Sequence, residues 1–296
     1  SFDFTAGVEI DDQLTSLSWT ITKKENSKIE TNFLALESDF RPLAFSSNGT
    51  FGGEIVFAGY GLKVPGDGTE GYNSYSGLNV SNKVALVLRY VPEGVTSSRR
   101  AVLNRYASLR YKALVARELG AKGILIVSGP NSPNTGKLIP MQSDQSLGNS
   151  GILAVSITEE IVNHWLEGTD QTLKKLQTGL DQENPHAVGS LTIPDKTVQL
   201  SIQLNRLRKS DRNVIGVLHP PHSKSNSPDY MMVGAHYDHL GFGEVGAFNA
   251  KGEERMIHNG ADDNASGVAS ILEMAGAIKQ FITRSPNVIK NGIIFS

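Results

Sequence analysis

Residues 83–90, KVALVLRY, form a nearly unbroken apolar run, the pattern of a strand covered on both faces. Downstream, Arg100–Leu119 carries Val102, Tyr106, Leu109, Ala113 and Ala116 at alternating steps of four and three, which is one apolar stripe of a helix. Gly120 stands where a helix C-cap glycine belongs, and Gly123–Ser128, GILIVS, reads as a second buried strand. Strand, helix and strand in this order make an α/β unit. Ile152–Ile157 adds a further strand and Glu159–Leu166 a short helix, beyond a polar loop at Pro130–Gly148.

Upstream, residues 1–45 read as short alternating segments, with Phe2 and Phe4, then Leu17, Trp19 and Ile21, at period 2. A Ser/Asn/Gly cluster at Ser46–Gly53 marks a change of texture. Glu54–Tyr60 is a strand candidate, and Gly61–Tyr75 an exposed connection. The texture changes again near Ser190. Val198, Leu200, Ile202 and Leu204 alternate as a strand, and Asn213–Leu218 is another. The proline-rich stretch His219–Pro228 is a surface turn, and Tyr230–Ala235 is an apolar strand that runs into HYDHLG (236–241). Ser266–Phe281 is a second helix, with Val268, Ile271, Leu272, Ala275 and Ile278 on one face and breakers at Ser285–Asn287. Ile293–Phe295 opens a last strand. The fold class is therefore α/β: a sandwich around a mixed sheet, formed by 1–45 and 190–296, interrupted by a smaller β-rich α/β module at 46–189. A chain that stops inside a strand is expected to be a fragment of a longer protein.

The 296 residues are 39% hydrophobic and 20% charged, with a net charge of -2. This is the composition of a globular protein and not of a disordered chain. The balance argues against a strongly basic nucleic-acid binder or a polybasic membrane-surface protein. No apolar run reaches the roughly 18 residues of a membrane span. Cysteine is absent, so a thiol nucleophile, a Cys–zinc site or a Cys-ligated cluster is excluded within this chain. A transition-metal site must use His and carboxylates.

The strongest chemical signal joins His236-Tyr237-Asp238 to Asp262-Asp263 in NGADDNASG (259–267). His236 ends a strand, and in open α/β sheets that edge is where ligands bind. Continued extension would place His236 and Asp238 on one side. A metal-ligating imidazole needs its other N–H fixed, often by a carboxylate, and His-x-Asp can supply ligand and orienter together. Asp262 and Asp263 precede a helix whose N-terminus favours ionised carboxylates, and a carboxylate with two free oxygens can bridge two cations. Taken singly, His-x-Asp is a common surface pair and Asp-Asp-Asn a common N-cap; together they point to a metal site.

Other patterns are set aside. Gly241–Gly246 matches G-x-G-x-x-G, but the AFNAKGEER that follows opens no apolar-periodic helix, which the dinucleotide reading requires. There is no G-x-S-x-G elbow and no Walker loop. His239 and His258 read as exposed loop histidines. His164, His186, His219 and His222 stand in separate segments. Arg99, Arg100, Arg105, Arg110, Lys112 and Arg117 read as a solvated basic face on the first helix.

GAHYDHLG (234–241) followed by HNGADDNASGVASILEMA (258–275) resembles the co-catalytic zinc aminopeptidase and glutamate carboxypeptidase family. The middle of the chain, VSNKVALVLRY (80–90), ELGAKGILIVSG (118–129) and ILAVSITEE (152–160), resembles the protease-associated domain inserted in secreted members of that family. The resemblance implies that His236 ligates one zinc, that Asp263 bridges two, and that Asp238 is the catalytic-site carboxylate orienting His236. It implies a cis peptide at Asp263–Asn264, a peptide or protein substrate, metal-assisted hydrolysis, and a secreted or periplasmic location. In the family, a Glu-Glu pair, an Asp and a late His supply the general base and the remaining ligands. They follow the strand at whose start this chain stops, so the chain alone is expected to be inactive and to need the rest of the same protein. A non-catalytic receptor or scaffold built on the protease-associated domain, and a zinc acyltransferase of the glutaminyl-cyclase kind, are the competing readings.

Overall fold

The computed structural model describes residues 1–22, 29–66, 70–141, 149–187, 191–220, 229–243 and 256–296. Its strands are β1 (Phe2–Ile10), β2 (Ser16–Thr22), β3 (Ile29–Phe33), β4 (Phe40–Pro42), β5 (Gly49–Phe57), β6 (Lys63–Val64), β7 (Tyr72–Asn73), β8 (Val84–Leu88), β9 (Gly123–Val127), β10 (Leu153–Ile157), β11 (Leu191–Ile202), β12 (Leu204–Asp211), β13 (Gly216–Leu218), β14 (Tyr230–Val233) and β15 (Gly292–Phe295). The helices are α1 (Ser97–Asn104), α2 (Leu109–Glu118), α3 (Glu159–Leu166), α4 (Leu173–Leu180) and α5 (Ser266–Arg284).

The chain divides into two compact units, Asp3–Lys209 and Ser1–Phe2 with Ser210–Ser296. The seams read from sequence texture at 45/46 and 189/190 both fall inside the larger unit. The reason is hydrogen bonding: the larger unit holds one eight-stranded mixed sheet of order β3-β2-β11-β5-β8-β9-β10-β4. Strands from 1–45 and from 191–202 thus share a sheet with those of 46–189. β5, β8, β9 and β10 run parallel, while β11 is antiparallel to both β5 and β2, and β4 to β10.

The run at 83–90 is buried for the reason its composition gave. Val84, Leu86 and Leu88 face one apolar cluster, whereas Ala85 and Val87 face another on the opposite side of the sheet. Ala113, Val115 and Ala116 of α2 belong to the second cluster, and Val162, Trp165, Leu173 and Leu176 of α3 and α4 to the first. The helix read across 100–119 is two helices. Ser108, with ψ 144°, accepts a hydrogen bond from the Tyr111 N–H at 3.2 Å and caps α2, and Thr96 caps α1 likewise. Gly120 (φ +88°) closes α2: its N–H reaches Arg117 O and that of Ala121 reaches Ala116 O, the paired bonds of a glycine C-cap. Lys112 is not solvated. It is fully buried, and its Nζ donates to Leu88 O at 2.8 Å and Tyr90 O at 2.6 Å.

The smaller unit holds a three-stranded sheet, β13-β15-β14. β14 runs parallel to β15, from Tyr230 opposite Gly292 to Val233 opposite Phe295, and β13 is antiparallel to β15. α5 lies between β14 and β15 in sequence, so the unit is built on a strand–helix–strand crossover. Val268, Ile271, Ala275 and Ile278 are half-buried, which fits the expected stripe, whereas Leu272 is exposed. No described helix is long and apolar enough to cross a membrane.

Candidate metal centre

The ladder between β14 and β15 carries one step past the strand ends: Ser296 N donates to Val233 O at 3.0 Å, and Ala235 N to Ser296 O at 2.9 Å. His236 is the first residue beyond that pairing, at the carboxyl end of a parallel strand. Its Nδ1 lies 3.0 Å from the main-chain oxygen of Asp238 and 3.4 Å from Asp238 Oδ1. A carbonyl oxygen only accepts, so the proton sits on Nδ1. Asp238 thus orients the ring chiefly through its main chain, while its own carboxylate is almost fully exposed.

Asp263 comes to the other side of the imidazole. His236 Nε2 and Asp263 Oδ1 are 3.1 Å apart. The approach is made by an irregular wide turn, Ala261–Ala265, entered through Gly260 at φ +60°. Asp263 (φ -129°, ψ 76°) and Asn264 (φ -141°, ψ 43°) leave helical geometry there, and the Asp263–Asn264 peptide is cis. Asn264 Oδ1 then accepts from Gly267 N at 3.2 Å at the start of α5. Asp262 turns away and accepts from the Ser266 hydroxyl at 3.3 Å. Of the acidic pair, the second member therefore faces His236.

The donor set suits a borderline divalent ion. With Nδ1 protonated, a neutral His236 presents a lone pair at Nε2 directly to a carboxylate oxygen, an arrangement that calls for a cation or a proton between them. Two donors on one tetrahedral zinc, each at about 2.0–2.2 Å, stand about 3.4 Å apart, close to the 3.1 Å found here. Among the described residues no group of three or more His, Asp or Glu is disposed as a metal site. His239 was read as a loop histidine, but its Nδ1 lies 4.0 Å from Asp263 Oδ2 and its side chain is 24% exposed, although the residue as a whole is open. No sequence spacing distinguished it from His258, which is half-buried with its ring centroid 6.5 Å away. His164 and His186 belong to the larger unit, and His219 pairs with the Tyr230 hydroxyl; His222 and the Glu244–Gly246 end of the glycine pattern, with the following AFNAKGEER, lie outside the described residues.

Residues 213–296 match the family model described as peptidase family M28. Over this segment the chain is similar to that family. The M28 segment contains His236, Asp238 and Asp263 and every element that positions them. The sequence matches no curated protein. Among solved structures, the aminopeptidase from Aneurinibacillus sp. strain AM-1 is 19% identical, over 99% of this chain and 51% of that one, at a TM-score of 0.38. The zinc aminopeptidase BSAP from Bacillus subtilis is 19% identical, over 99% and 49%, at 0.36. The chain thus spans about half the length of these proteins, and the overlay is slight; the family similarity stands on residues 213–296.

Proposed function

We propose that the chain is part of a zinc-dependent exopeptidase of the aminopeptidase type, with a dinuclear site to which His236 and Asp263 contribute. The observation that carries this is the 3.1 Å approach of His236 Nε2 to Asp263 Oδ1 while Nδ1 is committed to Asp238. His236 would hold one zinc through Nε2, Asp263 would bridge through its two oxygens, and Asp238 would fix the imidazole's tautomer and plane. Zinc, when bound, supplies Lewis acidity toward a peptide carbonyl and lowers the pKa of water. The chain's own part is to orient: the β14–β15 ladder fixes where His236 starts, and the wide turn at 261–265 carries Asp263 to it. An open recess of about 480 Å³ runs from His236 and Asn264 to the apolar Val214 and Met232, room for a peptide beside the pair.

In this reading, the module at 46–189 is a protease-associated domain within the larger unit. The substrate is a peptide or protein terminus, the action lies outside the cytoplasm, and further ligands and the general base come from elsewhere in the complete protein.

The test is zinc uptake by the chain, together with hydrolysis of aminoacyl nitroanilides by the complete protein. Zinc binding is expected in the wild type and lost in His236→Ala and Asp263→Asn. Uptake that is indifferent to both substitutions, or hydrolysis that survives a chelator, would overturn the proposal and leave His236 and Asp263 as an exposed ion pair, worth about 0–1 kcal/mol.

A further inference from the structure

Asp263 has an imidazole facing each of its oxygens. His236 Nε2 is 3.1 Å from Oδ1, and His239 Nδ1 is 4.0 Å from Oδ2. The two imidazoles are held differently. The His236 side chain is 54% exposed and bonded within its own turn, whereas that of His239 is 24% exposed and seated on Gly260. A Cβ at Gly260 would come within 2.7 Å of His239 Cγ, and at φ +60° that position disfavours any side chain. The glycine that starts the wide turn therefore also makes the seat for the ring. The His258 ring stands 6.5 Å away, tilted by 59°, and the His258 N–H donates to Gly241 O at 2.7 Å, which ties the segment before Gly260 to the loop after His239. A carboxylate that is 72% exposed and on an irregular turn would otherwise be free to rotate.

We propose that His239 is a positioning residue for Asp263: its imidazole, seated on Gly260, holds the Oδ2 side of the carboxylate so that the plane of Asp263 is set for metal binding. This rests on the metal reading above. At 4.0 Å the pair is in electrostatic contact, longer than a hydrogen bond, so the ring steers the carboxylate without removing its lone pairs from use. Ligating carboxylates are themselves held by outer partners, and losing such a partner typically lowers metal affinity by about 10- to 100-fold.

The experiment is zinc affinity of the complete protein, by competition with a chromophoric chelator at one pH, with the circular dichroism and thermal midpoint of each metal-free variant recorded beside it. His239→Ala is expected to weaken binding by about 10- to 100-fold with an unchanged midpoint. His239→Asn, whose amide N–H stands near the place of Nδ1, is expected to recover most of the loss, and His239→Gln, whose amide reaches the place of Nε2, is not. Wild-type affinity in His239→Ala, with His236→Ala unable to bind, would overturn the positioning role and leave the metal reading standing. A complete protein that takes up no zinc, or whose His236→Ala variant binds like wild type, would overturn the metal reading and this inference with it. Should His239→Ala fail to fold, equal affinities in His239→Asn and His239→Gln would overturn the inference.

Discussion

The two compact units contain the same motif, a strand–helix–strand crossover between parallel neighbours, finished in opposite ways. In the larger unit, β8 and β9 are buried along their whole length, and four residues of α2, Lys112, Ala113, Val115 and Ala116, are buried. In the smaller unit, Tyr230, Met231 and Met232 of β14 are exposed, and the nineteen-residue α5 has no buried residue. The contrast extends to the carboxyl ends of the strands, where open α/β sheets bind ligands. Beyond β8, the edge is closed from within: the Lys112 amine takes up Leu88 O and Tyr90 O. Beyond β14, the edge carries His236, with Asp238 and Asp263 on its two nitrogens. One crossover closes its strand end from within, and the other leaves it exposed.

The largest expected effect tests the sealed crossover. Leu86 is fully buried in β8, and Leu86→Ala removes apolar contact and leaves a cavity, at a cost of about 3–5 kcal/mol. Urea denaturation followed by tryptophan fluorescence should show this, since Trp19 and Trp165 both lie in the larger unit. A loss below about 1 kcal/mol would mean that the sheet around β8 collapses readily onto smaller side chains, and would blur the distinction between the two crossovers.

Much of this contrast was legible in the sequence, and the reasons differ from element to element. The run at 83–90 announced a strand covered on both faces because Val84–Leu88 holds no polar residue, the runs at 123–128 and 152–157 were legible as strands, and the bounds read for α3 are those it has. The break between α1 and α2 was hidden, since Tyr106 and Leu109 keep the helical stripe in step and only the cap made by Ser108 shows that the chain leaves helical geometry. α4 went unread. The seams at 45 and 189 followed local texture, which carries no record of which strands pair across the chain, and β11 joining β2 to β5 is such a pairing. For the site, His236 and Asp263 were visible by residue type and place at element ends. His239 was not, because its role depends on the space above Gly260, which only the folded turn reveals. Lys112 was misread as solvated because a basic residue beside Arg110 and Arg117 gives no sign that its amine is turned inward.

That lysine supplies the intermediate prediction. Burial, and secondarily Arg89, push the Lys112 ammonium well below the usual lysine value of 10.5. A base whose folded-state pKa is lowered binds fewer protons folded than unfolded, so stability rises with pH up to about 10.5 and is lost as pH falls below it. Tyr60, Tyr72 and Tyr75 act in the opposite sense: burial pushes their phenols above the usual 10.0, so stability is lost as pH rises above 10. Urea titrations from pH 7 to 9.5 isolate the lysine. Lys112→Met removes the amine from Leu88 O and Tyr90 O, a cost of about 2 kcal/mol, and its deficit relative to wild type should widen as pH rises. A deficit that narrows with pH would show that the amine is charged in the folded protein and that the edge beyond β8 is held by an ammonium instead.

The smallest effect belongs to the open crossover. Leu272 sits on α5 within the stripe that the sequence assigned to the core, yet it is 69% exposed, while Val268, Ile271, Ala275 and Ile278 around it are half-buried. Replacing it with Ala removes little buried surface and slightly improves helix propensity, so Leu272→Ala should change stability by less than about 0.5 kcal/mol. The same Leu→Ala chemistry at Leu86 and at Leu272 thus reads burial directly, with residue type held constant. If Leu272→Ala instead costs about 2 kcal/mol or more, the size of a core truncation, α5 is covered in solution, and the openness of the second crossover would have to be sought in the His236 edge alone. Measuring zinc affinity on the same variant separates the two cases: α5 begins where Asn264 accepts from Gly267 N, so a helix that is loosened as a whole would weaken metal binding along with stability, whereas a locally trimmed surface would leave it unchanged.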